Sequence, residues 1–211
     1  MDVMTPAAAP VRPPATVHTD RRRRILESAA ELFRTRGYAE TSIRTIAESV
    51  DMRAASIYHH FESKDALLTE ILAIGMEAVT AAFDDAETAA GPADTGAQRL
   101  QRHVAAHLDA LWGHKAFTAA HVTVFPFVPT EVRTQSVADR DRYEARWTTL
   151  LTDIAPSLDP SQVRLVRLSL FGVMNSTLDW FDPAAEGSLD QLAGAFVTTL
   201  WDGLGTIGGT R

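Results

Sequence analysis

Four histidines, His103, His107, His114 and His121, crowd one stretch of this 211-residue chain. His103 and His107 stand four residues apart, which sets both imidazoles on one face of a helix, a spacing that can grip a metal ion. No neighbouring carboxylate pattern completes a metal site, the chain has no Cys, and His114 and His121 lie beyond a break expected at Gly113. The imidazoles are therefore read as lining a pocket or facing solvent, and neither a metal nor a cofactor is expected. No Ser/His/Asp order, Gly-rich phosphate loop or HExxH helix supports catalysis, so the chain is not expected to be an enzyme. A metal-binding or enzymatic helical protein built on His103 and His107 is the alternative function.

The second chemically pointed group is cationic. Arg21 to Arg24 form an unbroken run, suited either to phosphates or to a solvated helix start. The net charge of −7 argues against a polyanionic partner, but the average misleads: residues 1–64 carry 10 Lys/Arg against 8 Asp/Glu, whereas residues 65–211 carry 10 against 19. The absence of Cys excludes disulfides and thiolate metal sites. No uninterrupted apolar run approaches the roughly 20 residues of a membrane span, and Asp2, Pro10, Pro13 and Pro14 are wrong for a signal peptide. No membrane partner and a cytoplasmic location are expected.

The elements that must position these residues read as helices throughout. Residues 1–18, rich in Ala and Pro, read as a disordered tail. Thr19 or Asp20 then caps a helix with Ile25, Ala29, Leu32 and Phe33 at helical spacing and Gly37 as its stop. A second short helix follows Thr41 or Ser42, with Ile43, Ile46, Ala47 and Val50 as its apolar face. A tight turn at Asp51-Met52 leads to a third from Arg53 to about His60, and Ser63 caps a fourth that opens with Leu67, Leu68, Ile71 and Leu72. Three short helices in this order make a helix-turn-helix, whose third helix keeps Arg53, Ala54, Ser56 and His59 outward. Beyond a flexible stretch at Gly91 to Gly96, helices are expected over 97–113, 115–125, 131–154, 160–180 and 188–203, with Pro and Gly at every joint. The fold class is all-α, divided into a tail (1–18), a helix-turn-helix domain (19–64) and a larger helical domain (65–211).

The run from Ile46 to Leu68 carries Ser56-Ile57-Tyr58-His59-His60-Phe61, then Ser63-Lys64 and Leu67-Leu68. On these residues, with Ile25, Ala29, Leu32, Phe33, Gly37, Tyr38, Thr41, Ile46 and Ala47 upstream, residues 21–72 resemble the DNA-binding domain of the TetR family of repressors. The chain departs from the family pattern at Asp51, usually Gly, at Arg53, usually Ser or Thr, and at Ala55, often Gly. Asp tolerates the left-handed backbone of such a turn better than most residues. The resemblance implies an operator-binding regulator, with Tyr58 and Lys64 touching phosphates, Thr41 or Ser42 and Arg44 doing so from the second helix, and Ala54, Ala55, Ser56 and His59 facing bases. Arg53 could replace the lost hydroxyl contact with a charge, and Arg44 is the strongest available reader of guanine. Tyr58 is equally compatible with a half-buried core aromatic.

For the rest of the chain the resemblance implies an effector pocket and a homodimer interface. Pocket candidates are His103, His107, Trp112, Phe117, His121, Phe125, Tyr143, Trp147 and Asn175, although aromatics at helical spacing also describe a plain core. Interface candidates are Leu165, Leu168, Phe171 and Gly172 on one helix and Leu192, Phe196 and Leu200 on the next, stripes that equally fit a monomeric core. The segment Phe171 to Pro183 loosely resembles a helix end of family members that respond to acyl-coenzyme A thioesters. The expected partners are therefore double-stranded operator DNA, a second copy of the chain, and a small apolar effector with an acyl-CoA thioester as leading candidate.

Overall fold

The computed structural model describes residues 15–208, with side chains from 20 to 201 and at 203. Within these residues every regular element is helical. Helix α1 (Ala15–Arg36) starts ahead of the caps expected at Thr19 and Asp20, so residues 15–18 of the expected tail are already helical; the rest of that tail lies outside the described residues. Gly37 ends α1 with φ +86, a left-handed conformation that costs glycine little.

The helix-turn-helix, expected to be the reading module, follows. Ser42, not Thr41, caps α2 (Ile43–Ser49), accepting from the Thr45 backbone N–H at 3.1 Å. After α2 the Met52 N–H closes back on the Ala47 carbonyl at 2.8 Å, a six-residue closure that needs one left-handed residue. Asp51 supplies it at φ 56, the one positive-φ residue other than glycine among the described residues. Helix α3 (Ala54–Tyr58) is shorter than expected, because the N–H groups of both His60 and Phe61 turn back onto the Ile57 carbonyl as Phe61 swings into the core.

Helix α4 (Lys64–Thr88), capped by Ser63, is long and apolar enough to span a membrane by length and composition, yet its apolar side chains are spent inside the protein. Its first turns (Leu67, Leu68, Ile71, Leu72) close the core of α1, α2 and α3, and its later turns (Met76, Val79, Phe83) enter a second core. That second core gathers α5 (Gly96–Gly113), α7 (Thr130–Ile154), α8 (Pro160–Trp180) and α9 (Leu189–Gly208). Capping boxes at Thr95/Gln98 and Asp159/Gln162 start α5 and α8. Helix α6 (Lys115–Thr123) stops two residues earlier than expected and passes into a 3-10 turn (Phe125–Phe127), since Pro126 cannot extend it. Phe117, Ala120, Val124 and Phe125 of this segment belong to the first core, so the larger domain reaches under the reading module.

The closure at Asp51 is open to test by urea unfolding. Asp51→Val, with a β-branched residue at φ 56, should cost about 1–2 kcal/mol. Asp51→Gly should leave stability within about 1 kcal/mol of the wild type.

Candidate DNA-reading face and effector cavity

The candidate DNA contacts divide by burial. Thr41 is 1% exposed and its hydroxyl donates to the Gly37 carbonyl at 2.8 Å, so it is a core residue and not a phosphate contact. Ser42 and Arg44 lie outside on α2, with Arg44 Nε 2.9 Å from Glu48, so any reading of a base by Arg44 competes with its own carboxylate neighbour. On α3, Ala55 and His59 are exposed and Ser56 half-buried, whereas Ala54 packs partly against the first core. Tyr58 is 56% exposed, which discards its reading as a core aromatic.

The arginine run splits as well. Arg22 is half-buried: it pairs with Glu70, donates to the His60 carbonyl at 2.5 Å and stacks over Phe61, tying α1 to α4. Arg23 is held by Glu27 at 2.8 Å. Arg21 and Arg24 instead flank a polar groove with Arg53 and Ser56, and these three arginines make no ion pair among the described residues. Three unneutralised guanidinium groups beside the exposed end of α3 are what a phosphate backbone requires.

Lys64 is drawn inward. Its ammonium donates to the carbonyls of Tyr38 and Thr41 at 2.8 and 2.9 Å and sits 4.0 Å from the centre of the Tyr38 ring. Two of its three N–H donors therefore brace the loop before α2, a positioning role that the expectation of a phosphate anchor did not include. Tyr38, whose hydroxyl meets Asp65, has its ionisation pushed far up by burial and then by that carboxylate.

A cavity of about 310 Å³ opens between α4, α5, α6, α7 and α8. Of the residues expected around an effector, His107, His121, Tyr143 and Asn175 line it. His103, Trp112, Phe117, Phe125 and Trp147 do not. His103 is fully buried beyond the cavity, with Nδ1 2.8 Å from the Arg99 carbonyl and Nε2 2.9 Å from Glu87. Trp147, 0% exposed, packs edge-on against Phe83, His103 and His107 and closes off the space that a helical repeat from His107 to His103 suggested was continuous. Trp112 donates to Thr177 at 3.2 Å, Phe117 sits in the first core, and Phe125 stands behind His121, ring centres 5.8 Å apart. Two residues expected at a dimer interface also line the cavity: Phe171, stacked on Tyr143, and Leu168, which at the rim stays 44% exposed.

The remaining walls come from Gly75, Met76 and Val79 of α4, Leu111 and Thr118, Val122 and Pro126 near the mouth, and Arg140 and Glu144 at the rim. Gly75 was the available sequence signal for the α4 wall, a glycine inside an otherwise apolar helix. A Cβ there would lie 2.9 Å from the Phe117 carbonyl oxygen, so α4 and α6 meet with no room for a side chain between them. One turn away, His121 Nε2 donates to the Leu72 carbonyl of α4 at 2.7 Å. Burial lowers the His121 pKa, with the Leu72 bond opposing, and lowers that of His107 to about 4 against the Asn175 side chain. Burial also raises the ionisation of Tyr143, whose hydroxyl lies 2.7 Å from His107 Nδ1.

Two family profiles match this two-part architecture. The one described as bacterial regulatory proteins, tetR family, matches residues 25–71, and that described as tetracyclin repressor-like, C-terminal domain, matches residues 93–204. The chain belongs to the TetR family. It is a transcriptional regulator with an N-terminal helix-turn-helix and a C-terminal ligand-binding domain. The repressor KstR2 of Mycobacterium tuberculosis is 25% identical over 193 residues, covering 87% of this chain and 92% of that protein. Two crystal structures share the fold. One is a TetR-family regulator of Bordetella parapertussis (TM-score 0.78, 23% identity, 86% of this chain and 94% of that one). The other is AibR in complex with isovaleryl coenzyme A and operator DNA (TM-score 0.70, 23% identity, 85% and 97%).

The buried imidazole of His107 sets a pH dependence. Its folded pKa of about 4 lies below the ordinary 6.5, so the unfolded chain takes up the proton first, and stability is full above pH 6.5 and lost as pH falls toward 4. Urea unfolding should lose about 2 kcal/mol from this ring between pH 7.5 and 5. His107→Leu should remove that share of the pH dependence; an unchanged slope would mean that folding does not shift the ring's pKa.

Proposed function

We propose that the chain is a repressor that holds operator DNA as a homodimer and lets go when a small, largely apolar effector fills the cavity between α4 and α8. The observation that carries this reading is His121: its ring lines the cavity while its Nε2–H bonds the Leu72 carbonyl of α4, the helix whose first turns close the core under α2 and α3. An occupant that shifts His121 therefore acts on the helix that sets the attitude of the reading module, which is the differential contact that a population shift requires. Homodimers and a cytoplasmic location are typical of the family. The outer face of α8 supports pairing, with Leu165 61%, Leu168 44% and Trp180 48% exposed and Gly172 leaving open space beside them. Leu192, Phe196 and Leu200 of α9 are half-buried against the second core and supply less free surface.

An acyl-CoA thioester remains the leading effector class. A space of about 310 Å³ suits a compact acyl group and not a whole coenzyme A thioester, so the nucleotide part would lie outside the rim at Arg140. The metal or enzyme alternative is the weaker reading, because His103 answers to Arg99 and Glu87 and His107 to Tyr143.

Binding to DNA flanking the chain's own gene, followed by fluorescence anisotropy against salt, tests the reading. Tyr58→Ala should weaken specific binding about tenfold or more without loss of stability, since its side chain stands in solvent. Arg24→Ala and Arg53→Ala should each lower the salt slope by about one. Thr41→Val should alter stability and leave the slope alone. An intact fold with no sequence-specific binding to any genomic fragment would reject the repressor reading.

A further inference from the structure

The buried end of the cavity holds two ring nitrogens that no well-formed hydrogen bond within the protein satisfies. His107 is 5% exposed and bonds through Nδ1 to the Tyr143 hydroxyl; its Nε2 is buried with no well-formed hydrogen bond, and the Asn175 side chain is the polar group beside it. The Tyr143 hydroxyl and His107 Nδ1 share one hydrogen bond; with the phenol as its donor, the neutral ring carries its proton on Nε2. His121 is the converse. Its Nε2 must carry the proton that bonds the Leu72 carbonyl, so its buried and unpartnered Nδ1 is a bare acceptor.

The surrounding walls, Met76, Val79 and Leu111, offer nothing to either nitrogen. An apolar occupant would strand both atoms away from water, at a cost that a cavity selected for hydrocarbon would avoid by carrying Leu or Phe there. A charged occupant fares no better. Burial keeps both rings neutral, the guanidinium at the rim belongs to Arg140, and Glu144 already holds it at 2.9 Å. A carboxylate at the buried end would lose its hydration and gain no counter-ion.

We propose that the part of the effector entering the cavity ends in an uncharged oxygen, a hydroxyl or a ketone, recognised by His107 with Asn175 and by His121. A ketone accepts from His107 Nε2–H, and a hydroxyl can in addition donate to His121 Nδ1. Within the class of acyl thioesters this excludes plain saturated chains and selects oxygenated acyl groups. The inference rests on the cavity being the effector site, as proposed above.

Isothermal titration of the full chain with toluene, p-cresol and p-toluate at pH 7.5 tests it, because the three share a ring and a methyl group and differ in the group at the far end. Hydrophobic transfer alone ranks toluene above p-cresol. The polar end predicts the reverse, with p-cresol bound about tenfold or more tighter than toluene and p-toluate bound weakest. His107→Leu and Asn175→Leu should each bring p-cresol down toward toluene while toluene still binds, which also reports that the cavity remains folded. Toluene binding the wild type as tightly as p-cresol, or a p-cresol advantage that survives in both variants, would overturn the proposal and leave the cavity as effector site. Failure of all three probes to bind the wild type would overturn both the proposal and the assignment of the cavity, while the operator measurements stand apart.

Discussion

Helix α4 serves two cores at once, and at Gly75 it does so with no room to move independently of α6. A methyl group there would meet the Phe117 carbonyl at 2.9 Å, and one turn earlier His121 bonds the Leu72 carbonyl. The contact is the constraint on which the rest of the structure depends. Upstream of it, Leu67, Leu68, Ile71 and Leu72 fix α4 to α1, α2 and α3; downstream, Met76 and Val79 wall the cavity. Close-packed interiors transmit displacement rather than absorb it, so a change in what fills the cavity is felt at the helix that carries the reading module.

The polar residues of the reading module fall into two sets by what they touch. Arg22, Lys64 and Tyr38 are turned inward, onto Glu70, onto backbone carbonyls and onto Asp65, and hold the angles between α1, α2 and α4. Arg21, Arg24 and Arg53, without ion pairs among the described residues, and the exposed Tyr58 are left outward around α3. Internal ties of this kind, half-buried and made to backbone oxygens or bidentate to a carboxylate, contribute more than surface pairs and fix geometry. The outward set can then be spent on a ligand.

Much of this is legible in the residues. Helical spacing and Pro/Gly punctuation locate every helix within a few residues, and the Ser56–Phe61 segment with Ser63-Lys64 is enough by itself to mark the reading module. Asp51 in the left-handed region follows from its side-chain chemistry. What stays hidden depends on which way a side chain leans between two neighbours. Lys64 and Arg22 carry the charge of a phosphate contact and are also tied internally, because carbonyls and Glu70 from distant turns reach them. His103 shares a helix face with His107 and yet lies outside the cavity, because Trp147 and Phe83 fill the space between. Phe171 sits on the stripe expected to pair two chains, but α8 turns it toward Tyr143, while Leu168 on the same stripe serves both the rim and the outer face. Periodicity assigns a residue to a face; only the packed neighbours decide what that face meets.

The central claim, that occupancy of the α4–α6 cavity governs the reading module, is tested most directly by filling the cavity from within. Val122→Phe adds a ring from the half-buried wall of α6, far from Tyr58 and the arginine groove. Its operator affinity should be compared with that of the wild type, after helicity and melting temperature have established that the chain folds and p-cresol titration that the space is taken. The account predicts a folded protein, closed to the probe, that binds operator about tenfold or more weaker than the wild type without any effector, the shift expected for a typical coupling free energy. A folded, filled protein with wild-type operator affinity would contradict it.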